Sequence, residues 1–337
     1  MVPFVALHRT PLPEHIATGV ICEFGFNIRD AESIRRLFEK HADKIDSVWN
    51  LAAPLSVDTA KDPTSAYDIT VRLHYIDTSV LLPPLTLSVF PCGVQVAGME
   101  RVLTCMQEFN IKKIYFSDSI GSYGIGSPRV DATARWLIEH PEHDPQSDYG
   151  NQKKQCRDLL AHYIHTFDFD ARFCIIPGVL HTAEVWGGGT TEYALDAMLS
   201  AVKGMAYRCP VGEGVCLPMI HATDLIEGMI ALMTTPSDAF LPHCRGVALA
   251  GFSFTPAELF AELRGYFPDF SFSYDLDGNS QAAAFAMAWP DTLCAEEAER
   301  HIGYKARNDF QTTVRDIVSA HKTRLLGGVR NTETIDM

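Results

Sequence analysis

The chain has 337 residues, of which 47% are hydrophobic and 21% charged, a composition that fits an ordinary globular enzyme with a full core. Its formal net charge of -14 argues against nucleic acid or an anionic membrane as a partner. The nine cysteines are scattered without a Cys-x-x-Cys pair, which favours reduced thiols over a disulfide framework or a zinc site. We expect no targeting peptide at the start and no membrane span, because the most apolar segment, 79–90, is short and contains two prolines.

Apolar runs of strand and helix character alternate through the first half of the chain. Such alternation predicts a doubly wound parallel sheet with helices on both faces. In chain order we predict strands at 4–7, 19–24, 47–51, 113–116 and 171–176, and helices at 31–41, 99–109 and 149–167. The predicted fold class is therefore α/β, with a Rossmann-like domain at 1–176.

The second half of the chain mixes proline-rich and glycine-rich loops with further helices. These helices are predicted at 191–202, 222–233, 255–266 and 310–325. The pattern indicates a smaller α/β substrate-binding cap, mainly 177–326, folded on the ligand face of the first domain. The final residues, 327–337, are expected to form a frayed polar tail.

The most informative motif is the pair Tyr149 and Lys153, which lie four residues apart in a predicted helix and so share one face. A nearby ammonium lowers the pKa of a phenol by favouring its ionised form, which makes a tyrosine a usable general base. Ser119 follows the strand predicted at 113–116, where its hydroxyl can hold a substrate oxygen against that phenol. Together the three residues predict alcohol oxidation with a nicotinamide cofactor.

The order of these motifs resembles the extended short-chain dehydrogenase/reductases, the NAD-dependent epimerase/dehydratase superfamily. Four further segments are similar to the short-chain type of L-threonine 3-dehydrogenase within it: 185–194, 216–224, 252–259 and 288–290. The most specific element is the Gly-Gly-Gly-Thr-Thr run at 187–191. Its glycines let backbone amides approach a small anion closely, as an amino acid carboxylate requires.

The resemblance implies oxidation of L-threonine to 2-amino-3-oxobutanoate with NAD, as a step of threonine catabolism, by a homodimer. In this reading Tyr149 takes the proton from the threonine hydroxyl, Lys153 binds the nicotinamide ribose, and Ser119 orients the oxygen. Substrate contacts are implied for Ser119 and Tyr149, and also for Ser56, Gly188, Gly189, Thr190, Thr191 and Trp289. Cofactor contacts are implied for Tyr149 and Lys153, and also for Asn27, Ile28, Leu51, Ala52, Ala53, Pro177 and Val179.

The sequence departs from that family at the dinucleotide site. The family opens on a strand and a Gly-x-x-Gly-x-x-Gly turn, which receives the pyrophosphate at a helix N-terminus. The sequence contains no such turn, and its strand at 4–7 corresponds to the family's second, with Leu7 in place of the ribose-binding acid. We therefore expect the domain to be truncated at its N-terminus and the chain as written to bind NAD very weakly or not at all.

A second departure is the stretch 71–95, which interrupts a helix that resumes at 96–103. Its composition indicates a translated intron in a eukaryotic gene, and a genuine surface loop is the alternative. A eukaryotic source would imply the mitochondrial matrix, and any other source the cytoplasm. Two alternatives to the threonine dehydrogenase stay open: a nucleotide-sugar epimerase or dehydratase on the same scaffold, and a non-catalytic fragment of an incomplete gene product.

Overall fold

The computed structural model describes residues 4–8, 20–24, 30–51, 94–183, 189–275 and 281–332. Its strands are β1 (Phe4–His8), β2 (Val20–Phe24), β3 (Val48–Asn50), β4 (Lys113–Ser119), β5 (Gly124–Ile125), β6 (Asp144–Pro145), β7 (Asp170–Ile176), β8 (Gly178–Leu180), β9 (Tyr207–Cys209), β10 (Leu217–His221), β11 (Gly246–Ala248), β12 (Phe252–Phe254) and β13 (Phe272–Tyr274). Its helices are α1 (Ala31–His41), α2 (Val94–Glu108), α3 (Ala134–Glu139), α4 (Asp148–Phe167), α5 (Tyr193–Val202), α6 (Ala222–Thr234), α7 (Pro256–Tyr266), α8 (Gln281–Ala288), α9 (Ala295–Ile302) and α10 (Phe310–Thr332).

Parallel strand pairing confirms the predicted α/β fold. One sheet has the strand order β11-β7-β4-β3, with β3 parallel to β4 and β11 parallel to β7. Strands β1 and β2 form a second parallel pair, and β8 and β10 pair in parallel within a three-stranded sheet that β12 completes. Ligands of open parallel sheets bind outside the carboxyl ends of the strands, and Ser119 stands at that end of β4.

The described residues form two compact units. The first contains the described residues up to 116 together with 155–171, and the second contains 117–154 and the described residues from 172 onwards. The predicted domain boundary at 176 divides the chain differently. Segment 117–154 lies with the C-terminal part because its residues bond to that part directly, as the contacts of Glu297 and Arg129 below illustrate.

Helix α1, in the first unit, shows why the predicted elements form where they do. Asp30 caps its N-terminus, since its carboxylate accepts a hydrogen bond from the Glu32 amide at 3.1 Å. Ile34 and Phe38 lie four residues apart on one face and are both buried. The Phe38 ring stacks on Phe109 at a centroid distance of 6.0 Å, so the apolar face of α1 packs beside the end of α2.

Two helices extend well beyond their predicted bounds. Helix α2 begins at Val94 and therefore includes the last two residues of the predicted insertion, whose other residues, 71–93, lie outside the described part of the chain. Helix α10 continues to Thr332 and does not end at 325. The glycines at 327 and 328 weaken a helix without terminating it.

The carboxylate of Glu297, on α9, joins two distant elements of the second unit. It accepts hydrogen bonds from the amides of Ala134 (2.8 Å) and Arg135 (3.1 Å) at the start of α3. It also accepts one from the amide of Ala248 (2.7 Å) at the end of β11. Burial raises the pKa of this carboxyl, although the three amides act in the opposite direction.

Replacing Glu297 is expected to destabilise the fold. In Glu297→Ala, three amides lose their acceptor, which we expect to lower the free energy of unfolding by on the order of 3 kcal/mol. Chemical denaturation of Glu297→Ala and of Glu299→Ala, an exposed position on the same helix, measures the effect. Equal stability of the two variants would contradict the assigned role.

The raised pKa of Glu297 also predicts a pH dependence. A carboxyl whose pKa is higher in the folded state stabilises the fold most below its unfolded pKa, and this contribution is lost as pH rises through the folded pKa. The melting temperature of the unmodified protein should therefore fall, relative to that of Glu297→Gln, as pH rises from about 4.

Candidate active site

Ser119 lies in a turn at the end of β4 that is held by hydrogen bonds among its own residues. The strand is largely buried and passes directly into a 3-10 turn, Ile120–Ser122. The Ser119 hydroxyl accepts a hydrogen bond from the Gly121 amide at 3.1 Å, and the Ser122 hydroxyl donates to the Ser119 carbonyl at 2.8 Å. The Ser119 amide donates to the buried Asp118 carboxylate at 2.8 Å. These bonds fix the position of the serine hydroxyl.

Tyr149 and Lys153 lie on the first turns of α4, as the four-residue spacing predicts. Lys153 is only 2% exposed, and its ammonium donates to the Ser117 carbonyl at 2.5 Å. The same ammonium lies 5.4 Å from the centroid of the half-buried Tyr149 ring. The structure thus places a buried positive charge beside the phenol and ties it to the strand that carries Ser119.

Two glycines bring the turn that carries Ser119 (119–122, below called the serine turn) into contact with helix α4. A Cβ atom at Gly121 would lie 3.2 Å from Cδ1 and Cε1 of Tyr149 and 3.5 Å from the Ser119 hydroxyl, so both side chains border the space that the missing Cβ of Gly121 leaves open. A Cβ atom at Gly150 would overlap the Gly121 carbonyl oxygen. Sequence reasoning missed both glycines, although each lies within two residues of a predicted catalytic side chain.

The predicted substrate loop is described from Gly189 onwards. The Gly189 amide donates to the Glu192 carboxylate at 2.7 Å, which closes the 3-10 turn Thr190–Glu192. Thr190 is 5% exposed, and its hydroxyl has no hydrogen-bond partner among the described residues. Thr191 packs against Gly178, where a Cβ atom would lie 2.7 Å from Cβ of Thr191. The turn therefore lies on β8 and carries a buried hydroxyl that lacks a partner.

Trp289, one of the predicted substrate contacts, is buried at 5% exposure. Arg129 holds it from the backbone, since the guanidinium donates to the carbonyls of Met287 (2.6 Å) and Trp289 (2.5 Å) and pairs with Asp291. Helix α8, which leads into Trp289, contacts the Thr190–Glu192 turn. Trp289 and the Thr190–Glu192 turn therefore belong to one cluster. The role of Arg129 was not predicted from the sequence.

The predicted cofactor residues are only partly described. Leu51 follows β3 and is 58% exposed. Pro177 is buried between β7 and β8, and Val179 is half-buried in β8. The remaining predicted residues lie outside the described part of the chain: Asn27, Ile28, Ala52 and Ala53 for the cofactor, and Ser56 and Gly188 for the substrate.

Other buried charged groups of the second unit bind backbone. Arg172 donates to the carbonyls of Leu232 (2.5 Å) and Thr235 (2.6 Å) and so holds the C-terminus of α6. Asp224, near the start of α6, accepts from the Asn308 amide at 2.9 Å. These contacts indicate structural roles.

No group of side chains suited to a metal ion occurs in the described ranges. Seven cysteines are free thiols, namely Cys105, Cys156, Cys174, Cys209, Cys216, Cys244 and Cys294. Burial raises the pKa of Cys209 and Cys244 to about 11. None of the described helices is long and apolar enough to cross a membrane.

Comparison with known proteins gives no match to a protein-family profile. An uncharacterized epimerase/dehydratase of Staphylococcus aureus is 27% identical over 312 residues, which cover 92% of this chain and 87% of the relative. A partial-consensus L-threonine 3-dehydrogenase superposes with a TM-score of 0.76 at 27% identity, covering 95% of this chain and 90% of the other. The holo form of a GalE-like L-threonine dehydrogenase from Cupriavidus necator gives 0.75 at 26% identity, covering 94% and 90%.

The fold is Rossmann-like, and the proteins that the chain resembles are of the dehydrogenase and epimerase type. The predicted resemblance to the extended short-chain dehydrogenase/reductases is thereby confirmed. Three similar structures at 25–27% identity are described as L-threonine dehydrogenases. A UDP-glucose 4-epimerase from Thermus thermophilus in complex with NAD shares the fold, with a TM-score of 0.70 at 17% identity, 94% of this chain and 90% of the epimerase being covered.

Proposed function

We propose that this protein is an NAD-dependent dehydrogenase that oxidises L-threonine to 2-amino-3-oxobutanoate. The observation that carries the proposal is the approach at Gly121, where the Ser119 hydroxyl and the Tyr149 ring both lie within 3.5 Å of the position that a Cβ atom would take. A hydroxyl and a phenol so arranged can hold one substrate alcohol between them. The similar L-threonine 3-dehydrogenases favour threonine as that alcohol.

The described residues fit the nicotinamide end of NAD. Lys153 provides buried ammonium donors beside Tyr149, which suit a ribose hydroxyl. Pro177 and Val179 provide an apolar edge at the end of β7, which suits a nicotinamide ring. When bound, NAD supplies the acceptor for the hydride that leaves the substrate carbon. An epimerase of the same fold binds this dinucleotide.

Each of the three residues Ser119, Tyr149 and Lys153 has a distinct role in the proposed reaction. Tyr149 accepts the proton of the threonine hydroxyl as the C–H bond of the same carbon breaks and the C=O bond forms. Lys153 places a positive charge beside the ring that receives negative charge. Ser119, fixed by its turn, donates a hydrogen bond to the reacting oxygen and keeps it near the phenol.

The Thr190–Glu192 turn supports an amino acid as substrate. A buried hydroxyl without a partner is costly, and a ligand that bonds to it removes that cost. Thr190 has such a hydroxyl. A carboxylate accepts a hydrogen bond from a hydroxyl, so we assign the carboxylate of threonine to this turn.

Thr191→Val tests the assignment. We expect the KM for threonine to rise more than the KM for NAD, because the variant keeps the packing against Gly178 and loses only a hydroxyl. Thr323→Val, an exposed position on α10, is the matched control. An equal rise of both KM values would count against a substrate role for this turn.

The alternative function is a nucleotide-sugar epimerase or dehydratase, which the description of the Staphylococcus aureus relative supports. Assays of NADH formation from L-threonine and of turnover of a nucleotide sugar separate the two. The predicted homodimer also stays a proposal, since one similar L-threonine 3-dehydrogenase is described as monomeric. Size-exclusion chromatography with light scattering measures the oligomeric state.

A further inference from the structure

His143 lies between the two segments that carry Ser119 and Tyr149. Its side chain is buried at 8% exposure, with the Trp136 ring edge-on at a centroid distance of 5.8 Å. Its Nε2 atom lies 3.0 Å from the Ser122 carbonyl oxygen, and its Nδ1 atom lies 2.6 Å from the His140 carbonyl oxygen. A carbonyl oxygen only accepts, so a neutral ring, which has one N–H, donates to one of these two oxygens, and both bonds form together only when both ring nitrogens carry a proton.

The Ser122 carbonyl belongs to the turn that fixes Ser119. Ser122 is fully buried, and its hydroxyl donates to the Ser119 carbonyl at 2.8 Å. The next amide, that of Tyr123, donates to the Ile120 carbonyl at 3.1 Å. A side chain that holds the Ser122 carbonyl therefore holds the whole turn, including the Ser119 hydroxyl.

On its other side, His143 adjoins the segment that leads into the tyrosine helix. The two residues after it form β6, where Pro145 pairs with Gly124 immediately beyond the serine turn. The Pro145 carbonyl accepts a hydrogen bond from the Asn151 side chain at 3.1 Å, within the first turn of α4. His143 thus joins the backbone before Tyr149 to the backbone after Ser119.

We propose that His143 is a positioning residue, whose Nε2–H···O=C bond to Ser122 sets the Ser119 hydroxyl against the Tyr149 phenol. This inference rests on the proposed function, because the catalytic benefit comes from that pair. Loss of the bond lets the serine turn move relative to α4. A displacement of about 1 Å in such a site costs on the order of 10²-fold in rate.

Two substitutions that replace the His143 ring by a side-chain amide distinguish its Nε2 contact from its Nδ1 contact. The amide nitrogen of His143→Gln reaches the position of Nε2 and can donate to Ser122, whereas that of His143→Asn reaches only the position of Nδ1. We expect kcat for threonine to fall on the order of 10²-fold in His143→Asn and to be largely restored in His143→Gln. The KM for NAD should stay unchanged in both. His243→Ala, at an exposed histidine, is the control.

Hydrogen–deuterium exchange provides a readout that needs no substrate. Amides of 119–123 should exchange faster in His143→Asn than in the unmodified protein, and at the original rate in His143→Gln. Equal exchange and equal kcat in the two variants, or rescue by Asn instead of Gln, would overturn the proposal. If the unmodified protein does not oxidise threonine, the proposed function fails, while the exchange result still decides whether His143 holds the turn.

Discussion

Tyr149→Phe is expected to lower kcat for threonine oxidation by at least about 10²-fold, the usual cost of losing a general base. The substitution removes one oxygen and keeps the ring, whose packing against Gly121 and beside the Lys153 ammonium is therefore preserved. The loss should appear in kcat with little change in melting temperature, because the structure assigns the ring, not the hydroxyl, to packing.

Steady-state kinetics of NADH formation measure this effect. Tyr266→Phe, which removes a phenol oxygen at the end of α7, is the control and should retain normal turnover. Turnover by Tyr149→Phe at the normal rate would rule out the proposed proton acceptor.

Gly150→Ala is expected to abolish most of the activity, although position 150 contacts no substrate in the proposed mechanism. The added Cβ atom would overlap the Gly121 carbonyl oxygen, which is backbone and cannot rotate away. The start of α4 must then move off the serine turn, which separates Tyr149 from Ser119. We expect a loss on the order of 10²-fold in kcat from this displacement, together with a lower melting temperature.

Gly214→Ala is the matched control, because a Cβ atom at this exposed glycine meets nothing within 4 Å. Kinetics and thermal unfolding of both variants measure the contrast. Normal activity in Gly150→Ala would show that the contact between the turn and the helix does not set the catalytic geometry.

Local signals account for the elements that the sequence predicted well. Helix α1 has the predicted bounds because Asp30 supplies a cap and Ile34 and Phe38 supply the apolar spacing. The Tyr149 and Lys153 pair could be found because a four-residue spacing on a helix fixes which side chains are neighbours.

The parts that were missed depend on contacts with backbone, which leave no pattern in the sequence. Arg129 and His143 bind carbonyl oxygens, which every residue possesses, so nothing in the chain indicates which ones they reach. Gly150 matters because the backbone of Gly121, 29 positions earlier in the sequence, approaches it closely. The strands β9 and β13 were missed because three residues carry too little periodicity to be recognised.

NADH formation from L-threonine by the purified chain, at NAD concentrations raised to the millimolar range, measures whether Ser119, Tyr149 and Lys153 oxidise this substrate with NAD. We predict NADH formation that depends on threonine and is lost in Tyr149→Phe. Interconversion of a nucleotide sugar without any NADH formation from threonine would contradict the account.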